Sequence, residues 1–188
     1  MTAERLVVVD VETTGFRTTD RVVEVAAVSL DARTLEVVDE FETLVNPGRG
    51  VGPTAVHGIT DAMVVDAPSF RGVAAELTER LHGGVLVAHN LRFDQRMLNQ
   101  EYEKFMDEPD WGTGICTYRL SGLKLAAACE AHAISLHGHH RALDDARAAA
   151  ELLRRVIDPA APMGPVSVPP MAGIAPERLL TRAQVAGR

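Results

Sequence analysis

Positive charge, cysteine and long apolar runs are all scarce in this sequence. It carries 19 lysines and arginines against 26 acids, for a formal net charge of −7. The residues after Asp158 hold Arg178, Arg182 and Arg188 against Glu177, so the remainder is more acidic still. That deficit excludes a tight, long-footprint binder of nucleic acid, whose affinity comes from lysine and arginine on phosphates. The two cysteines, Cys116 and Cys129, are too few for a disulfide framework. The expectation is a reduced, cytoplasmic setting with structural thiols. No apolar stretch approaches the ~20 residues that a membrane helix needs. Glu4 and Asp10 interrupt the N-terminal stretch, so no signal peptide is visible and no membrane association is expected.

What is present reads as one domain with a short appendage. The 46% hydrophobic content fits a soluble globule, and 188 residues can bury a sizeable core. Residues 6–9 form a valine-rich run typical of a buried central strand. Residues 21–30 and 35–45 read as two more strands, and short turns between the three predict an antiparallel meander. Asn46-Pro47-Gly48 breaks that run. Thereafter helices alternate with strands. Thr60 precedes a short helix to Val64, and Pro68 opens a helix over 68–81 whose Phe70, Val73, Ala74, Leu77 and Leu81 keep a helical period. A fourth strand spans 85–88, Asn90 caps a helix over 91–103, and a fifth strand is expected at 113–117. Helices follow over 123–133 and 142–157. A meander followed by alternation implies an α/β fold with a mixed sheet of about five strands flanked by helices. Six of the ten prolines lie between Pro159 and Pro176, so 158–188 is expected as a proline-rich, flexible linker or tail after a domain over 1–157.

The chemistry-bearing residues fall in three separated motifs: Asp10-Val11-Glu12-Thr13-Thr14-Gly15, then Ala88-His89-Asn90 with Phe93-Asp94, then His140-Arg141-Ala142 with Asp145-Ala146. Asp10 and Glu12 are two apart at a strand end, so alternation puts both on one face. Asp94 falls in the first turn of a helix, where the dipole favours a carboxylate. His140 and Asp145 cannot share a helical face, because five residues leave them about 140° apart. His140 is therefore expected in the loop before the helix, and Asp145 near the helix start. Clustered carboxylate oxygens suit hard divalent cations, and a histidine beside them can serve as a base. A zinc site from His137, His139, His140 and a cysteine is the competing reading, against which the tetrahedral-site spacings are missing. Phe93 and Met97 read as core, and His89 as a buried structural histidine. Trp111 reads as a core or loop anchor, with base stacking as its alternative. Glu24 is acidic and inward-facing but is not read as a ligand.

Taken in order, these motifs resemble the DEDDh 3′–5′ exonucleases, the family of the proofreading epsilon subunit of bacterial DNA polymerase III. The resemblance covers about residues 5–157 and includes the spacers Asn46-Pro47 and His57-Gly58-Ile59-Thr60. It implies a ribonuclease H-like fold and two Mg²⁺ or Mn²⁺ ions held by Asp10, Glu12, Asp94 and Asp145. Asp10 would bridge the two ions, Glu12 would sit on the nucleophile side and Asp94 on the leaving-group side. The family pattern picks His140 over its neighbours as general base. Thr13, Thr14 and Gly15 suit the terminal nucleotide, and Asn90 joins them as a substrate residue. His57 has two readings, a substrate contact and a loop-packing residue. The implied activity is hydrolysis of single-stranded DNA or frayed duplex ends from the 3′ end to nucleoside 5′-monophosphates, in proofreading or repair. An RNA 3′-trimming or oligoribonucleotide-degrading enzyme is the near alternative. A non-catalytic polymerase-accessory module is the distant one. A polymerase or other protein partner would dock through the tail.

Overall fold

The computed structural model describes residues 4–138, 140–157, 163–168, 171 and 174–187. A five-stranded mixed sheet runs in the order β3-β2-β1-β4-β5. Its first three strands, β1 (Arg5–Thr13), β2 (Val22–Asp31) and β3 (Val37–Leu44), form the antiparallel meander. After the helices α1 (Thr54–His57), α2 (Asp61–Val64) and α3 (Phe70–Leu81), the chain returns as β4 (Val85–Ala88), parallel to β1. Helix α4 (Leu91–Tyr102) then leads to the short β5 (Ile115–Cys116), parallel to β4. Helices α5 (Thr117–Ser121), α6 (Leu125–Ala131), α7 (Ala142–Val156) and α8 (Arg182–Ala186) complete the order.

Strand parity divides the core into two layers. Val7, Val9 and Val11 pack with α3 and α4, including Leu77, Met97 and Leu98. Leu6 and Val8 pack on the opposite face with α6 and α7, including Ala146, Ala149 and Leu153. Every one of these side chains is buried, each Val or Leu contributing roughly 1.5–3 kcal/mol. The alanines of α7 let its axis approach the sheet closely, at no loss of helix propensity.

Several local details differ from the sequence reading. Helix α3 begins after Ser69, whose side chain accepts the Gly72 N–H, so Pro68 lies outside the first turn. Asn90 holds the N-cap position of α4 but makes no side-chain cap bond. The fifth strand is reduced to Ile115–Cys116 and turns at once into α5, and α1 was not anticipated. The described part of the proline-rich segment also lies against the domain. Val166 and Val168 join the α3/α4 layer, and Leu180 joins a third cluster with Val23, Leu44 and Ile59. Leu44 N–H donates to the Leu180 carbonyl at 2.8 Å. Through these contacts the described residues of this segment form a strap along the domain. Residues 158–162 and His139, which entered the expectations, lie outside the described residues.

Candidate active site

The parity that buries Leu6 and Val8 under α7 carries Asp10 and Glu12 onto that same face, where β1 runs beyond its hydrophobic cover. Glu12 is opposite Glu24 of β2 in register. Helix α7 arrives over this end of the strand with Asp145 in its first turn. His140 stands in the loop before α7 with φ of 66°. Its N–H donates to Asp145 Oδ2 at 3.0 Å, so loop and helix start are tied together. Ligating atoms of Glu12, His140 and Asp145 all fall within 4.8 Å of one another. From the other face, Asp94 in the first turn of α4 is buried.

These carboxyls perturb one another strongly. Burial holds Asp10 well above the ordinary range, reinforced by Asp94, Asp145, Glu12 and Glu24 in that order. Burial pushes Glu12 up to about 8, with Glu24 and Asp145 adding to the rise and Arg182 opposing it. Burial also pushes Asp94 up to about 8, with the nearby backbone N–H groups of Asp94 and Val11 opposing the rise and Glu12 adding to it. Acids crowded this way hold protons unless a cation supplies the compensating charge. The donor set is carboxylate oxygen with one imidazole, which fits hard divalent cations. Glu24 is not part of that set. One of its oxygens takes Arg182 Nε at 2.6 Å, and the other takes Arg182 Nη2 and the Ala142 N–H.

The expected substrate residues have different surroundings. The Thr14 hydroxyl donates to Asp20 Oδ1 at 3.0 Å and accepts the Arg21 N–H, so it shapes the loop after β1. The Thr13 hydroxyl donates to the Gly15 carbonyl. A Cβ on Gly15 would lie 2.6 Å from Asp20 Oδ2, so this turn accepts only glycine without rearrangement. His57 is buried, with Nδ1 accepting the Ile59 N–H at 3.0 Å, which is the geometry of its loop-packing reading. Burial lowers its pKa below the ordinary histidine value. Asn90 is exposed, in a cleft of about 430 Å³ with Arg92, Gln95, Tyr118 and Arg119. Trp111 is buried and donates to Asn99 Oδ1, as a core anchor does. His89 Nδ1 meets the Thr117 hydroxyl at 2.9 Å.

Two residues that the sequence reading passed over adjoin the site. Phe16 is 77% exposed, stacked at an angle on Phe93, with its carbonyl held by Arg96. Its only signal was membership of a turn. Arg182 reaches the cluster from α8, and nothing local in the sequence pairs it with Glu24.

The family model described as exonuclease matches residues 7–153. The PolC-type DNA polymerase III of Bacillus subtilis is 36% identical over 173 residues, covering 86% of this chain but 12% of that protein. The chain thus spans about an eighth of the PolC-type polymerases it matches. The DNA polymerase III epsilon subunit of Treponema pallidum is 34% identical, covering 79% of this chain and 74% of the subunit. Exonuclease X in complex with 5′-overhanging duplex DNA superposes with a TM-score of 0.63 and 30% identity, covering 80% of this chain and 90% of the other. The nuclease domain of 3′hExo, a DEDDh family member bound to rAMP, gives a TM-score of 0.72 at 20% identity, covering 81% and 91%. At that identity the likeness speaks for the ribonuclease H-like fold. With the match spanning all three motifs and both faces of the sheet, this chain belongs to the exonuclease family.

Proposed function

We propose that the chain is a 3′–5′ exonuclease that removes nucleoside 5′-monophosphates from single-stranded DNA or frayed duplex ends. The observation that carries this reading is the convergence of Glu12, Asp145 and His140 within 4.8 Å, beside Asp10 and Asp94, at the end of one central strand. Asp10, Glu12, Asp94 and Asp145 would hold two Mg²⁺ or Mn²⁺ ions. When bound, such ions stabilise charge on the attacking and leaving oxygens of a phosphodiester. His140 takes the proton from the attacking water. Its place in a loop, tied by its own N–H to Asp145, fixes the ring beside the carboxylates without using a helical face. The turn built by Thr13, Thr14 and Gly15 receives the terminal nucleotide through its backbone, since both hydroxyls are engaged within the loop. Phe16 offers an exposed ring for a base, and Arg92 and Arg119 offer charge to the phosphates behind it.

The preference for DNA draws on the 30%-identical Exonuclease X, which was captured with DNA. Proofreading or repair, with a polymerase as partner, draws on the epsilon and PolC-type relatives. No helix among the described residues is long and apolar enough to cross a membrane, and a cytoplasmic setting belongs to this reading. The test is degradation of equal-length, end-labelled DNA and RNA single strands with Mn²⁺, run beside Asp10→Ala. Stepwise shortening of DNA from the 3′ end, lost in the variant, is expected. Faster loss of RNA would move the assignment to RNA end trimming. Activity equal in Asp10→Ala would defeat the reading.

A further inference from the structure

Arg182 is the only lysine or arginine among the described residues that is buried. It lies far along the chain from the three motifs, yet its guanidinium is spent entirely beside them. Nε and Nη2 grip the Glu24 carboxylate at 2.6 and 2.7 Å. Nη1 donates to the His57 carbonyl at 2.5 Å, and Nη2 also donates to the His140 carbonyl at 3.2 Å. Glu24 in turn accepts the N–H of Ala142, the first residue of α7, at 2.9 Å. The loop from His140 to Ala142 is therefore held at both ends, by its first carbonyl and its last N–H. That support has work to do. His140 has φ of 66°, a left-handed conformation that non-glycine residues keep only where their surroundings impose it.

Delivery of Arg182 does not depend on Arg182 itself. Leu180 is buried and exchanges backbone contacts with β3, its own N–H donating to Thr43 Oγ1 at 3.1 Å. Thr181 and Gln184 form a reciprocal capping box at the start of α8. Glu177 receives the Ser69 N–H and hydroxyl. A segment anchored at these points presents one arginine into the cluster.

We propose that Arg182 is a positioning residue for hydrolysis: its clamp on Glu24, His57 and His140 sets the loop that carries the base, so the C-terminal strap is a working part of the site. This rests on the proposed exonuclease reading. Its placement requires a planar fork serving a carboxylate and two carbonyls together, which a lysine ammonium cannot reproduce.

The test compares the full chain with Arg182→Ala and Arg182→Lys on an end-labelled single strand at saturating Mn²⁺, with amide exchange at Ala142 measured on the same proteins. In Arg182→Ala, kcat per folded molecule should fall about 10–100-fold, as expected for a misplaced reacting group. KM should stay nearly constant, and Ala142 exchange should accelerate while the middle of α7 stays protected. Added guanidinium at non-denaturing concentration should restore part of kcat, and Arg182→Lys should remain slow. A kcat close to the unmodified chain's, or a loss explained by unfolded protein alone and unresponsive to guanidinium, overturns the proposal. If Arg182→Ala does not fold, Glu24→Gln with Arg182→Gln, which leaves no buried charge unpaired, is read by the same criteria. A chain inactive on every nucleic acid would refute the exonuclease reading, and unchanged Ala142 exchange would still refute the clamp.

Discussion

Replacing Glu12 by Gln should stabilise the metal-free protein, and the gain should grow with pH. Glu12 is buried between Glu24 and Asp145, and its carboxyl rises from an ordinary 4.5 to about 8. A carboxyl raised in the folded state binds its proton more tightly there than in the unfolded chain. Its contribution to stability is complete below about pH 4.5 and is lost as pH climbs through about 8. Glutamine cannot ionise and escapes that loss. A rise from 4.5 to about 8 corresponds to a ceiling of about 5 kcal/mol, at about 1.4 kcal/mol per pH unit. Asp10 and Asp94 are raised as well and titrate in both proteins, sharing the burden of charge. A gap of roughly 2–5 kcal/mol at pH 9, shrinking to nearly nothing at pH 4.5, is the expected result. Urea denaturation in chelator at a series of pH values measures it. Saturating Mn²⁺ should reverse the order, because the cation stabilises the ionised cluster of the unmodified chain more than that of the variant. A gap that does not change with pH, or an unmodified chain that is the more stable of the two at pH 9 in chelator, would falsify the account of a crowded, cation-ready site.

Other outcomes follow from the same geometry. Chelator should abolish nucleotide release and Mg²⁺ or Mn²⁺ restore it, whereas full turnover in a metal-free preparation would remove the two-ion reading. His140→Ala should lower turnover about 10²–10⁴-fold while leaving Mn²⁺ affinity nearly unchanged. Because its ring nitrogen lies within 4.8 Å of the Glu12 and Asp145 oxygens, a parallel loss of Mn²⁺ affinity would make it a ligand instead of the base. A 3′-phosphorylated strand should be degraded poorly and a closed circular single strand not at all. Linear products from the circle would identify an endonuclease.

Most of the elements that place the site announce themselves locally. The valine run of β1 and the alanine-spaced stripe of α7 are periodic over enough residues to resolve strand from helix. Asp10 and Glu12 share a face by alternation, and the five-residue interval from His140 to Asp145 already demands a loop before the helix. Helices α1 and α5, of four and five residues, are too short to show a period. Residues 113–117 look extended throughout in composition, yet only Ile115–Cys116 pairs. Gly114 packs directly on the Leu86 carbonyl, where a Cβ would approach to 2.7 Å, and pairing begins only at Ile115. The C-terminal strap is the least legible segment. Its prolines describe a chain that cannot form regular structure, which is a different property from a chain that does not pack. Leu180 and Arg182 meet partners 137 and 158 positions earlier, and no local pattern encodes so distant a pairing.

Charge explains why such a pairing belongs here. A buried acidic cluster is unfavourable without compensating charge, and each added carboxylate worsens it. Glu24 is nevertheless placed opposite Glu12, within the same crowded patch. An unpaired buried carboxylate at that position would be strongly destabilising. The Arg182 fork neutralises it without entering the ligand set, and it opposes the rise of the Glu12 pKa. Glu24 can then act as a fixed acceptor for the start of α7. Two kinds of carboxylate thus stand side by side, Glu24 gripped by the protein's own guanidinium, and Asp10, Glu12 and Asp94 held above their ordinary pKa by burial and by neighbouring acids. On the proposed exonuclease reading, that division would let a chain with a net charge of −7 meet a polyanion at one point without a broad basic surface.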